Sequence, residues 1–348
     1  MSEKKTRNSS IDIFRLCCAI MIIMGHTYFL KDISPIAGFL AARFLPRICV
    51  PFFLCTTGYF YIHGLKNGKN TFVKQIKYIL KAYIAWTVIY YSLSLVLAIK
   101  NNESMGNFFK ERFVNFFFEG SYYHLWYFPA LIYPFILAAL CYKIGKMKGI
   151  KVLAYTSIII YVIFFIGTDY INLGQYIPLI NNLYKVNKYE VIRGILGMGL
   201  PFFMMGYFVN VTEDWYKKIT PSQSTVLFLF WFGGYIIETI CAFLTTPLDS
   251  AAEEICVAIM LLPTLFFFFV FLLKHPYPQY GKYTGYCKRM SNYIYFVHPI
   301  FIAIIELGAS IIGKHISNTP LFFIITIISL ISGTIFYKLD NKYTRLLV

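Results

Sequence analysis

Charge is scarce in this chain, and negative charge scarcest: 16 Asp and Glu stand against 32 Lys and Arg in 348 residues, so only 14% of the sequence is charged. With 58% hydrophobic and 20% aromatic residues, a chain so poor in charge cannot dress a water-soluble surface. Pairs of the C-x-x-C type are also lacking. The eight cysteines are scattered, apart from adjacent Cys17 and Cys18, which gives no metal or redox framework; they read as small hydrophobes between helices. The six histidines lack the i,i+4 spacing of a metal site, and no serine nucleophile elbow, P-loop or dinucleotide-binding glycine pattern occurs. Neither internal repeats nor low-complexity linkers are visible.

What is present is apolar length. Runs long enough to cross a bilayer fall near 11–30, 46–65, 76–99, 124–142, 151–168, 191–211, 222–244, 253–273, 290–312 and 319–337. The expected fold is therefore an all-α polytopic membrane protein of about ten transmembrane helices. The first run follows Lys4, Lys5 and Arg7 but is longer than a signal core, contains Arg15 and has no convincing cleavage site, so it reads as a retained anchor. With the N-terminus inside, about two-thirds of the Lys and Arg fall in cytoplasmic segments, which places both termini in the cytoplasm. The net charge of +16 is then mostly a topology signal plus attraction to anionic membrane lipids, and nothing suggests nucleic acid. Between the third and fourth runs, Phe108, Phe109, Phe113, Phe116 and Phe117 alternate with Lys110, Glu111, Arg112 and Asn115. Such a pattern suits an interfacial helix on the outer leaflet, or an aromatic belt without a specific role.

Inside the first run sit Arg15 and His26. Ionisable groups within a span are costly and commonly functional. Eleven residues are nearly three helical turns, so both side chains share one face, roughly 16 Å apart along the axis. Neutral imidazole can take a proton from a hydroxyl as its oxygen attacks an acyl carbon, which makes His26 the candidate general base; a satisfied interhelical hydrogen bond is the alternative. Arg15 can hold a phosphate or carbonyl of a long carrier, or snorkel and pair with Asp12 at i,i+3. By depth, Arg15 groups with Lys74, Lys77 and Lys81 at a basic inner mouth, although those lysines are also ordinary positive-inside residues. His26 groups with Arg47, His124, Arg193, Glu238 and Glu306 in a mixed polar outer chamber. His298, next to Pro299, reads as structural at a kink, and no metal site is expected.

The Asp12-x-x-Arg15 and His26 pattern resembles the signature of the membrane acyltransferase-three family. Arg47–Phe60 (RICVPFFLCTTGYF) is similar to that family's phenylalanine-rich segment ending in Ser-Gly-Phe, with Thr57 at the serine. His124–Ile132, with Trp126, resembles its His-Leu-Trp-Phe segment; Leu200–Val209 its Pro-Phe-Phe-x-x-Gly segment; and Ser291–Phe301, with Tyr295 and His298, its Tyr-x-Tyr-x-x-His segment. The resemblance covers essentially the whole chain, 1–348, as a single transmembrane acyltransferase-like domain. It implies a ten-helix bundle that O-acylates hydroxyl acceptors, with His26 catalytic, Arg15 its partner, and acyl-CoA, such as acetyl-CoA, as a cytoplasmic donor rather than a permanently bound cofactor. The family's Arg-x-x-Arg at the third span is Lys74 and Lys77 here, which keeps the charge and loses the two-pronged fit to phosphate. That departure, and a chain ending just past the last span, resemble the membrane halves of the serine racemases of vancomycin-resistant enterococci. The alternative implied is L-serine uptake for a cytosolic racemase domain in the same polypeptide, with Arg15 or Arg47 meeting the carboxylate and Glu238 or Glu306 the ammonium.

Overall fold

The computed structural model describes residues 8–166, 176–184, 189–245, 258–341, 344 and 347. Every regular element among these residues is helical, as the hydrocarbon of a bilayer demands, since a helix satisfies its backbone groups within itself. The main helices are α1 (Ser9–His26), α2 (Pro35–Lys66), α3 (Phe72–Lys100), α4 (Met105–Phe118), a long run over Tyr127–Ile166, α7 (Arg193–Val211), α8 (Glu213–Lys218), α9 (Pro221–Thr245), α10 (Leu261–Lys274), α11 (Thr284–Ile311) and α12 (Asn318–Leu339). Eight helical stretches are long and apolar enough to cross a membrane, and the protein is a multi-pass membrane protein.

The 40-residue run Tyr127–Ile166 is two helices. Lys146 leaves helical geometry (φ 52°, ψ −140°), and a Cβ built on Gly149 would come within 2.1 Å of the Cys141 carbonyl oxygen. Eight residues of straight helix would separate those positions by about 12 Å, so the chain folds back on itself; 127–145 is α5 and 147–166 is α6. The sequence places two spans here. The span expected over 253–273 ends in the shorter α10, and its residues 253–257 lie outside the described residues.

Two compact units make up the chain. The first comprises Met1–Phe53, Ile219–Glu253 and Phe267–Val348. In it, Ala19 and Ile23 of α1 pack with Met290, Ile294 and Ile302 of α11 and with Leu321, Phe322 and Ile325 of α12. Lipid tails are as apolar as these side chains, so close packing and interhelical hydrogen bonds hold the helices, the latter worth about 0.6 kcal/mol each on average. Phe14 of α1 meets Phe52 and Phe268 edge-on, at 4.8 and 4.4 Å between ring centroids. Polar groups stitch the start of α1 to the segment after α10. Asn8 caps α1 by accepting from the Ser10 N–H and donates to the Leu272 carbonyl, while Ser9 and Ser10 donate to the carbonyls of Tyr277 and His275.

Leu54–Lys218 and Glu254–Phe266 form the second unit. Its tightest crossing is between α2 and α7. A Cβ on Gly58 would lie 1.9 Å from the Phe203 carbonyl oxygen, and one on Gly206 would lie 2.2 Å from the Tyr59 nitrogen, so the two backbones touch where each helix has a glycine. Both glycines belong to the motifs noted in the sequence, and their role here is packing. In the same unit, α4 lies against α3, with the Tyr83 and Phe116 rings stacked at 4.7 Å and the Tyr83 hydroxyl donating to the Phe116 carbonyl. The aromatic segment after α3 is thus a helix. It buries Phe108 and exposes Phe109, Phe113, Phe117 and Phe118.

Replacing Gly206 with Val forces α2 and α7 apart. We expect a loss of about 1–3 kcal/mol, read as a lower midpoint of thermal unfolding in detergent, whereas Gly106→Ala, in open space on α4, does not lower the midpoint.

Candidate functional site

Helix α1 carries Asp12, Arg15 and His26. Asp12 and Arg15 form an i,i+3 ion pair of 3.6 Å, with side chains 6% and 15% exposed. The Arg15 carbonyl accepts a 2.9 Å hydrogen bond from Ser291 Oγ of α11. At the other end of α1, the His26 ring stacks on that of His298, centroids 5.1 Å apart and planes inclined by 28°. Low-numbered and high-numbered ends pair in order, so α1 and α11 run parallel.

His26 is the last residue of its helix rather than an interior one. The span expected over 11–30 stops being helical here: Thr27 still bonds back to the Ile23 carbonyl through its N–H and Oγ1, and Tyr28 and Leu30 then take left-handed backbone angles (φ 53° and 65°). Positive φ at bulky residues is strained and persists only where the surroundings hold it. Several contacts do so. Asn318 donates to the Thr27 carbonyl at 2.9 Å, Thr319 Oγ1 accepts from the Leu30 N–H, and Asp32 accepts from the Thr319 hydroxyl and N–H at 2.6 and 3.2 Å. The Arg43 guanidinium covers the Tyr28 ring at 4.5 Å.

A second support comes from α2. After a first α-helical turn, Pro35–Gly38, it widens into a π-helix over Phe39–Phe44, closed by the Leu45 N–H bonding to the Leu40 carbonyl. The cause is Pro46, which has no N–H for the Ala42 carbonyl and pushes the preceding turn open. That carbonyl faces α1 at Gly25, where a Cβ would come within 3.3 Å of it. The residue before His26 is therefore a glycine at a close backbone approach.

His298 is fully buried, and its Nδ1–H donates to the Ile294 carbonyl at 3.0 Å. A carbonyl only accepts, so in the neutral ring Nε2 carries the lone pair. The sequence assigns His298 a structural place beside Pro299; the structure adds its contact with His26, which no local spacing signals. Tyr295 is buried one turn before it, its ring 6.4 Å from that of His298. Arg43 also escaped the sequence reading, because the second span was expected to begin at 46 whereas α2 starts at Pro35. Arg47 is half-buried in the turn after the π-helix. Glu238 is half-buried on α9, and Glu306 is exposed on α11 beside exposed Ile304 and Leu307.

The remaining candidates lie in the second unit. Lys74, Lys77 and Lys81 are exposed along the first turns of α3. His124 is buried in a box of tyrosines, 5.0 Å from the Tyr90 ring and 5.8 Å from that of Tyr122. Trp126 packs on the turn that carries Arg193, with its ring 3.7 Å from where a Cβ on Gly194 would sit, and Arg193 is half-buried at the start of a second π-helix.

Outside the spans, the carboxyl of Asp32 is held below the ordinary aspartate range, first by the Thr319 hydroxyl bond. A depressed folded value stabilises the fold at all pH above the unfolded value, and the contribution disappears as pH falls through the folded one. Asp32→Asn should accordingly be less stable than wild type at neutral pH and should lose less on acidification, as followed by unfolding midpoints between neutral and strongly acidic buffer.

A family model described as an acyltransferase domain, the acyltransferase-three model, matches residues 8–338. Among curated proteins, an amino-acid racemase of Enterococcus faecalis is 25% identical over 349 residues, covering 97% of this chain and 47% of the relative. A serine/alanine racemase of Enterococcus gallinarum is 27% identical over 335 residues, covering 92% of this chain and 45% of the relative. The chain thus spans less than half the length of these relatives. No solved structure matches it.

Proposed function

This chain belongs to the acyltransferase-three family of membrane proteins, and on that premise we propose that it transfers an acyl group from acyl-CoA to a hydroxyl acceptor, with His26 as general base. The observation that carries the proposal is the pairing of His26 with His298. A histidine at the last residue of a membrane helix, stacked at 5.1 Å on a second, buried and backbone-tethered imidazole, has its orientation set before substrate arrives. Such pre-positioning is what a proton acceptor requires. His298 is the positioning residue and His26 the catalytic one.

In the proposed reaction, the acceptor oxygen bonds to the acyl carbon as its proton passes to His26. The carbon–sulfur bond breaks and the coenzyme A thiolate leaves, to be protonated from His26 or water. Arg15 is proposed as a contact for the donor. Its pairing with Asp12 and the Ser291 bond to its carbonyl fix the stem, and the planar guanidinium is of the type that suits a phosphate or carbonyl oxygen. Lys74, Lys77 and Lys81 offer point charges suited to phosphates, without the bidentate geometry of arginine. The inner position of this donor end and the outer position of the acceptor follow the charge-derived topology.

Two measurements test the reading. Calorimetry of acetyl-CoA with the purified protein should show binding that Arg15→Ala removes; equal binding by both rejects Arg15 as a donor contact. In proteoliposomes supplied with hydroxyl acceptors, release of the coenzyme A thiol should fall by about 10²–10⁴ in His26→Ala, and less in His298→Ala. Unchanged release in His26→Ala ends the general-base assignment.

The racemase names of the relatives leave room for one other reading, passage of L-serine to a racemase domain in the same polypeptide, with Arg15 or Arg47 meeting the carboxylate and Glu238 or Glu306 the ammonium. Saturable serine binding by a protein that ignores acetyl-CoA supports this alternative.

A further inference from the structure

Between α3 and α4 the second unit has a cleft of about 270 Å³, open on one side. Val88, Leu95 and Phe109 give it apolar walls, with Val88 61% and Phe109 59% exposed. Its polar groups are largely committed elsewhere: the Tyr91 hydroxyl donates to the Arg112 carbonyl, and Ser92 Oγ to the Val88 carbonyl. The first of these bonds ties α4 to α3 and so fixes both walls. Among the described residues, Arg112 is the one charged side chain lining the cleft. It is half-buried against the Phe108 ring at 5.2 Å, and its Nε is buried with no hydrogen-bond partner among the described residues. No carboxylate pairs with it among those residues, and a guanidinium desolvated at one nitrogen without a counter-charge carries a cost that an anion would offset.

We propose that this cleft is a phospholipid site, with one acyl chain along Val88, Leu95 and Phe109 and the phosphodiester on the Arg112 guanidinium. The volume lies just below the range of small-molecule pockets, about 300–1,000 Å³, and admits part of one acyl chain, the remainder leaving through the open side. Bilayer lipid is the medium around a multi-pass protein and presents a chain and an anionic phosphate in the arrangement this cleft needs. The planar fork of arginine matches two phosphate oxygens at once. Next to the cleft, Thr87 shares a 2.7 Å hydrogen bond with Ser121, and the Tyr90 ring stacks on Tyr122 at 4.4 Å. A lipid wedged between α3 and α4 would thereby brace the loop that carries His124.

The test is native mass spectrometry of the full chain purified in detergent and incubated with phosphatidylglycerol, phosphatidylcholine or diacylglycerol. Wild type should retain one phospholipid of either kind and not diacylglycerol, which has the chains without the phosphate. Arg112→Gln should lower occupancy about tenfold, and Arg112→Lys should restore part of it. Leu95→Trp, which fills the cleft and leaves Arg112 in place, should also exclude the lipid, and it provides an independent variant should Arg112→Gln misfold by circular dichroism or gel filtration. Equal retention of diacylglycerol, or undiminished phospholipid binding in Arg112→Gln or Leu95→Trp, overturns the proposal.

Discussion

With no water in the hydrocarbon of a bilayer, backbone N–H and C=O groups must find partners inside the protein, and most of this architecture follows from that constraint. Where the constraint is locally broken, the break has a use. Two π-helices, Phe39–Phe44 and Arg193–Gly199, each end just before a Leu-Pro pair, Leu45-Pro46 and Leu200-Pro201. In each, the leucine N–H reaches back five residues, to Leu40 or Ile195, because the following proline cannot donate and crowds the preceding turn. The first widened turn presents the Ala42 carbonyl to Gly25, beside His26. The second begins at Arg193.

Helix contact in this protein is largely a matter of small residues and edge-on aromatics, since burying an apolar side chain against another helix gains little over leaving it in lipid. Gly58 and Gly206 let two backbones touch, and Phe14, Phe52 and Phe268 interlock. The residues that stand out against this apolar background are therefore those with chemistry: the Asp12–Arg15 pair, the His26–His298 stack and the half-buried Arg112. The strained Tyr28 and Leu30 fall directly after His26, and the bonds from Asn318, Thr319 and Asp32 that hold them come from the start of α12 and the loop itself. Strain located just after a candidate catalytic residue fits a site whose geometry is imposed by its neighbours.

The racemase-named relatives extend well beyond the matched region, and a membrane module within a longer protein is compatible with either proposed function. Arg15 and His26 share one face of α1, and each meets α11, through Ser291 and His298.

Composition and the length of the apolar runs determined the fold class, because a bilayer admits few structures and hydropathy records which stretches enter it. Helical periodicity likewise determined that Arg15 and His26 share a face, and the ordered motifs identified the family. The end of α1 at His26 was not legible, since residues 27–30 are as apolar as the helix and the terminating bonds come from α12. Nor was the start of α2 at Pro35, where the turn widened by Pro46 lies outside the expected span. Tertiary structure alone decided that His298 stacks on His26 and that Arg112 lines a cleft. Both depend on helices distant in sequence, or on the angle between neighbours, meeting at particular faces, and a linear pattern carries the face a residue lies on but not the partner that face will meet.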